Sequence, residues 1–243
     1  MLTTEELTHF ERHGFVGGFS ICDPDEIELL RTKIDTVLTV KRTAHPTVHR
    51  HLDSRVVYEL CSHPAVIERV AAILGPDLLL WHSRFFDKPA GSERIPWHQD
   101  CPFWPIEPDD CVSAWIAIDE VDAENACVEV IPGSHKMRLP HIPSTGTGRF
   151  GMQADPQFVD ETAKTNIELK AGEFFIFDRW LVHGSPANRS KRGRLGLSIR
   201  IVPPTVKVHV EKMRPYFPGL GPQIVRGADT VGINHLMPAP SLF

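Results

Sequence analysis

From Leu78 onward the apolar residues come in short runs cut by Gly, Pro, Asn and Asp, a pattern that commits most of the chain to β-structure. The runs Leu78 to Phe86, Val112 to Ile118, Cys127 to Ile131, Phe174 to Phe177 and Leu195 to Val202 are rich in residues that favour a pleated, half-buried surface. In Arg194-Leu195-Gly196-Leu197-Ser198-Ile199-Arg200, polar or small residues alternate with apolar ones, so Arg194, Gly196 and Ser198 share one face of a strand. On that face Gly196 would leave room beside the arginine. Ser198 would either add a hydroxyl there or face outward as an ordinary polar residue.

The first seventy-five residues read as helical. Thr3 with Glu6 makes a capping box, and Gly14 stops that helix. Asp23, Pro24 and Glu26 open a second helix with Ile27, Leu30, Ile34 and Val37 on one face. Pro64 starts a third, with Val66, Ile67, Val70 and Ile73 apolar and Gly75-Pro76 ending it. These helices are expected to pack against one face of the strand assembly. The stretch Lys41 to Tyr58 between the second and third is polar and irregular. His135 to Asp160 reads as a long surface insert of the kind found at active-site rims. After Pro203-Pro204 the tail to Phe243 is rich in Pro and Gly; covering the mouth, binding a second subunit and mobility remain open for it. A single domain is expected over 1–243, helical over 1–75 and stranded over 78–202, with a tail over 203–243.

A chain of 243 residues can bury a large core. Its net charge of −5 offers no basic footprint for nucleic acid. No apolar run approaches membrane-spanning length, and the start Met-Leu-Thr-Thr-Glu-Glu carries neither a positive leader nor an apolar segment. The terminal Ser-Leu-Phe is not the Ser-Lys-Leu peroxisomal address. Five cysteines (Cys22, Cys61, Cys101, Cys111, Cys127) are odd in number and lack paired metal spacing, which favours reduced thiols over a disulfide framework. The expectation is a cytoplasmic protein with no nucleic-acid or membrane partner. Oligomeric state stays open.

The chemistry is concentrated in His98-Gln99-Asp100 and the distant His183. Strand residues two apart project from the same face, so His98 and Asp100 aim an imidazole and a carboxylate at one point. A second histidine arriving from another strand completes a two-histidine, one-carboxylate triad, which leaves open positions on Fe(II) for a co-substrate and O2. Asp100 sits in the apolar stretch Pro96-Trp97 to Pro102-Phe103-Trp104, and His183 follows the strand-like run Gly172 to Asp178. Eleven residues after His183 stands Arg194, a planar cation of the kind that clamps a carboxylate through two hydrogen bonds.

Two long stretches carry a family resemblance: WHQDCPFWPIEPDDCVSAWIAIDEVDAENACVEVIPGSHK, from Trp97 to Lys136, and GEFFIFDRWLVHGSPANRSKRGRLGLSIRIV, from Gly172 to Val202. Both resemble the phytanoyl-CoA dioxygenase family of non-haem Fe(II), 2-oxoglutarate-dependent oxygenases, whose fold is a double-stranded β-helix. The resemblance implies a mainly β fold with N-terminal helices, a jelly-roll, cupin-like barrel flanked by those helices. It implies that His98, Asp100 and His183 hold the iron, that Arg194 meets the C5 carboxylate of 2-oxoglutarate, and that Trp115 and His82 line the co-substrate pocket. The acidic ligand is present, whereas halogenating relatives replace it with a small residue. Ala126 departs from the pattern: it stands where the Glu-Asn-Gly turn usually has glycine.

The implied reaction is oxidative decarboxylation of 2-oxoglutarate to succinate and CO2, coupled to O2-dependent hydroxylation of a C–H bond in a small molecule. Two other outcomes compete: desaturation, cyclisation or epimerisation of a natural-product intermediate with the same cofactors, and a non-catalytic sensor that binds a metal or ligand. Retention of Arg194 beside all three ligands speaks against the sensor. Phe103, Trp104, Phe174 and Phe175 are candidates for dry walls, with ordinary core the stronger expectation for Phe174 and Phe175. Between Lys41 and Arg55, the residues Lys41, Arg42, His45, His49, Arg50, His51 and Arg55 face a single acid, Asp53. A basic rim there would draw an anionic or carrier-linked substrate; a solvated loop is the plainer alternative.

Overall fold

The computed structural model describes residues 1–40, 45–144, 151–213 and 219–241. Two antiparallel sheets dominate. The larger runs in the order Phe15–Ser20, Glu173–Asp178, Val112–Ala117, Arg194–Val202, Leu78–Lys88, Gln223–Arg226. The smaller runs Ile95–His98, His183–Ser185, Val128–Val130, Thr165–Ile167. Because the chain alternates between the two, their inner faces meet as in a double-stranded β-helix. Trp115, Phe175 and Phe177 of the larger sheet pack there with Val128, Val130 and Ile167 of the smaller.

Four helices cover the outer face of the larger sheet: α1 (Thr4–His13), α2 (Pro24–Thr39), α3 (Arg55–Cys61) and α4 (Pro64–Leu74). Thr3 and Glu6 exchange both capping-box bonds at the start of α1. The alternation in Arg194–Val202 sorts its residues between two cores. Leu195, Leu197, Ile199 and Ile201 point outward and pack with Phe10, Ile34, Val57, Leu60, Val66 and Val70 of the helices. Arg194, Gly196, Ser198 and Arg200 are left on the inner face. Part of the tail, Gln223–Arg226, pairs with Leu78–Lys88 and extends the edge of the larger sheet.

The helical expectation for the first seventy-five residues needs two corrections. Phe15–Ser20 is a strand, paired with Glu173–Asp178. Its Gly17-Gly18 pair masks any strand signal. A Cβ at Gly17 would overlap that of Phe175, so the pairing requires glycine there. The second correction is α3, capped by the Ser54 hydroxyl accepting from the Val57 amide. Two consecutive valines and a polar approach conceal it in the sequence.

Among the described residues, much of the basic stretch before α3 is turned inward rather than forming a rim. Lys41 and Arg42 lie outside the described residues. His49, Arg50 and His51 are all buried. Arg50 reaches the Asp53 carboxylate at 2.9 Å and the carbonyls of Val37 and Pro46 at 2.6 and 3.2 Å, so it closes the C-terminal end of α2 onto the loop. Arg55 faces solvent, paired with Glu59 on the next turn of α3. Arg50→Ala is therefore expected to cost about 3–5 kcal/mol of stability, because it strands a carboxylate and several carbonyls. Arg55→Ala should cost less than about 1 kcal/mol. Urea denaturation of the two variants checks this, and an Arg50→Ala protein as stable as the wild type would refute it.

Candidate metal centre and active-site cavity

The smaller sheet brings the three predicted ligands together. His98 and His183 are direct cross-strand partners, and Asp100 follows two residues after His98. One ligand atom from each lies within 4.8 Å of the others. His98 Nε2 stands 3.6 Å from Asp100 Oδ1, and His183 Nε2 stands 3.9 Å from Asp100 Oδ2. Each ring is oriented by its other nitrogen: His98 Nδ1 lies 2.8 Å from the Pro96 carbonyl and His183 Nδ1 2.9 Å from the Leu181 carbonyl. A carbonyl can only accept, so each Nδ1 carries a proton and each Nε2 is turned toward the shared point. This is how metal-ligating histidines are usually held.

Electrostatics favours the same state. Burial, then the neighbouring His98, push the His183 imidazole down to about 4, so it is neutral near pH 7. Burial alone would raise the Asp100 carboxyl. The Arg200 guanidinium and the two histidines outweigh it and hold the group well below the usual carboxylate range. A neutral His183 imidazole beside an ionised carboxylate fits a divalent cation such as Fe(II).

Gln99, between the ligands, points elsewhere. Its amide nitrogen donates to the Met137 and Trp180 carbonyls and its oxygen accepts from the Leu139 amide, which fastens the start of the 135–160 insert beside the site.

A cavity of about 280 Å³ opens on the triad. Phe86, Ile95, Phe103, Trp104, Trp115, Phe175 and Phe177 supply apolar walls, and Gly151 and Met152 bring in the insert. The insert thus does border the site. Phe174 is outward-facing core as expected, while its neighbour Phe175 is wall as well as core.

Arg194 lines the cavity and is 2 % exposed. Its hydrogen bonds go to the Ala126 carbonyl at 3.0 and 3.2 Å, the Phe86 carbonyl at 3.3 Å and the Ser185 hydroxyl at 3.1 Å. Burial pushes it down to about 10, which leaves it a cation at neutral pH. Among the described residues no carboxylate lies within ion-pair reach of it. A buried cation with only neutral partners is the feature a carboxylate ligand would complete. Trp115 lies with its ring 5.3 Å from the guanidinium carbon. Gly196 makes room for that indole, since a Cβ there would overlap it. Ala126 has a φ of 70°, a conformation costing a residue with a side chain about 1–2 kcal/mol, which accounts for glycine being usual at this turn.

Two expectations move. Ser198 is buried on the inner face but is not a wall of the cavity; the hydroxyl beside Arg194 belongs to Ser185. His82 is likewise off the cavity wall, and its Nδ1 accepts from Arg200 Nη1 at 3.0 Å. Four polar residues went unread. Lys88 donates to the Ser185 hydroxyl at 2.8 Å; burial and the Arg194 charge push it down to about 7. Ser185 lies two residues beyond His183, hence on its face of the strand. Arg84 and Arg200 both line the cavity. The register pairs Arg194 with Lys88, Gly196 with Phe86, Ser198 with Arg84 and Arg200 with His82, so the period-two rule carried one step further along each strand reaches all of the inner-face cations.

A double-stranded β-helix that gathers two histidines and a carboxylate beside a buried arginine is the architecture of the non-haem iron, 2-oxoglutarate-dependent oxygenases. The comparisons with known proteins agree. The profile of the phytanoyl-CoA dioxygenase (PhyH) family matches residues 10–196. Peroxisomal phytanoyl-CoA dioxygenase of Rattus norvegicus is 27% identical over 228 residues, which covers 82% of this chain and 68% of the rat protein. Among solved structures, the apo form of the non-heme monooxygenase ThoJ superposes with a TM-score of 0.78 at 27% identity, covering 96% of this chain and 88% of that one. CytC3 with Fe(II) and alpha-ketoglutarate gives 0.77 at 26% identity, covering 98% and 93%. The chain belongs to the phytanoyl-CoA dioxygenase family.

Proposed function

We propose that this protein is a hydroxylase that uses O2 and 2-oxoglutarate to convert a C–H bond of a small anionic molecule to C–OH, with release of succinate and CO2. The observation that carries the reading is the pairing, in one cavity, of a three-ligand cluster and a buried arginine with no acidic partner among the described residues. His98, Asp100 and His183 would hold Fe(II), which with 2-oxoglutarate and O2 supplies the oxidising chemistry when bound. Arg194 would take the distal carboxylate of 2-oxoglutarate, steadied by Ser185 and by Lys88 behind it. Trp115 closes the flank of that subsite, and Phe86, Phe177 and Trp104 keep water from the reacting carbon.

The anionic substrate follows from the charges on the walls. Among the described residues they carry three guanidinium groups, Arg84, Arg194 and Arg200, against one carboxylate, Asp100. Cations on the walls would make an anion a favourable guest beside the co-substrate. Arg84, with its guanidinium 5.0 Å from the Phe86 ring, is the contact we assign to a substrate carboxylate, phosphate or carrier-linked group.

The test is Fe(II)-dependent succinate formation across small acids, each paired with its neutral amide. At least one acid should stimulate succinate release while its amide does not. Arg84→Ala should raise the KM for that acid about tenfold or more, as loss of a charge-assisted bond of about 1.5–3 kcal/mol requires. Amides turned over as well as their acids would rule out the anionic substrate.

A further inference from the structure

Arg200 is 5 % exposed, and it bridges the two sheets at the metal centre rather than lining the cavity passively. It stands on the larger sheet, and its Nη2 donates to Asp100 Oδ2 at 3.1 Å. Its Nη1 donates to His82 Nδ1 at 3.0 Å, and Trp104 lies with its ring 5.0 Å from the guanidinium carbon. The guanidinium is thus held on one edge by an imidazole and on its face by an indole, with Asp100 as its acidic partner.

We propose that Arg200 is a positioning residue that occupies one oxygen of Asp100, so that this carboxylate meets the metal through its other oxygen, and that His82 holds Arg200 in place for the task. The inference rests on the iron-binding reading above. It explains why a second buried arginine stands six residues beyond Arg194 on the same strand face. An iron held here would have to leave room for 2-oxoglutarate and O2, so a carboxylate that took a single position would serve it better than one that took two. Oδ1 stands beside His98 Nε2 with no guanidinium on it, while Oδ2, on the His183 side, is engaged by the Arg200 guanidinium. His82 suits the supporting role because it is neutral: burial first, then His49 and Arg200, push its imidazole well below the ordinary histidine value. Its Nδ1 therefore offers a lone pair to a cation.

The experiment measures Fe(II) affinity by chelator competition, together with the charge-transfer absorption of the Fe(II)–2-oxoglutarate complex and circular dichroism of each variant. Arg200→Gln is expected to fold and to bind Fe(II) 10–100-fold more weakly, the usual cost of removing a partner of a metal ligand. Arg200→Lys should recover part of the loss, because it keeps the charge with a single donor. His82→Phe keeps the ring and removes the acceptor, and should lower affinity at least about fivefold. His82→Asn, which keeps an acceptor near Nδ1, should stay close to the wild type. A purely structural role predicts altered melting with unchanged metal affinity and absorption. Arg200→Gln, Arg200→Lys and His82→Phe proteins that all bind Fe(II) within twofold of the wild type, with the same absorption, overturn this inference alone. A wild-type chain that binds no Fe(II) overturns it together with the proposed function.

Discussion

His183→Ala, like His98→Ala and Asp100→Ala, is expected to reduce Fe(II)-dependent succinate formation to background and to lose bound iron. The reason lies in how the site is built. The two histidines come from adjacent strands of the smaller sheet and Asp100 from the turn just past His98, and each imidazole is locked by a backbone carbonyl so that Nε2 faces the shared point. No other cluster of three His, Cys, Asp or Glu residues among the described ones can replace a lost member. Folding should survive the change. His183 loses ring contacts with Phe177 and a single bond to the Leu181 carbonyl, a loss of about 1–3 kcal/mol against a large core. Metal analysis on the folded variants decides the matter, and wild-type iron content in His183→Ala would remove that residue from the ligand set. Asp100→Gly should likewise abolish hydroxylation, since among the described residues it removes the only carboxylate on the cavity wall.

Much of this site was readable in the sequence because strand geometry is regular. The alternation beginning at Arg194 and the capping box of α1 are local rules that the structure follows. The His-x-Asp spacing brings its two groups to one point by another route, since Asp100 lies past the strand end in a helical conformation. What escaped has two physical origins. Gly17 and Val57 of α3 hold their conformations through tertiary contacts, which local propensity does not record. Polar residues on the inner face carry a different ambiguity. Alternation shows that Arg84, Lys88 and Arg200 share a face with the candidate site residues, but not which sheet they meet across the gap. Arg200 meets Asp100 across the gap between the larger sheet and the end of Ile95–His98. The basic stretch at 45–55 is the converse case. Counting its charges suggested a solvent-facing rim, yet Arg50 spends its donors on Asp53 and the end of α2. Charge counts do not reveal burial, and burial decides whether a cation binds a ligand or the protein itself.

Arg194→Ala should weaken 2-oxoglutarate binding at least about thirtyfold while leaving Fe(II) affinity within about twofold. Truncating one partner of a buried, hydrogen-bonded charge pair costs on the order of 2–5 kcal/mol, and about 2 kcal/mol already corresponds to thirtyfold. The separation from metal binding follows from position, since none of the hydrogen bonds of Arg194 goes to His98, Asp100 or His183. Arg194→Lys should recover little, because an ammonium cannot reproduce the planar pair of donors. Arg192 is the control. It lies in solvent against Asp122, Glu120 and Glu124, where salt and water screen its charge, so Arg192→Ala should leave co-substrate affinity within twofold. Some of the loss in Arg194→Ala will come from the Ala126 and Phe86 carbonyls, which lose their donor, and melting curves report that share separately. Titration of 2-oxoglutarate into the Fe(II)-loaded variants measures the rest. If Arg192→Ala weakens binding and Arg194→Ala does not, the distal carboxylate lies outside this cavity and the assignment of its subsite fails.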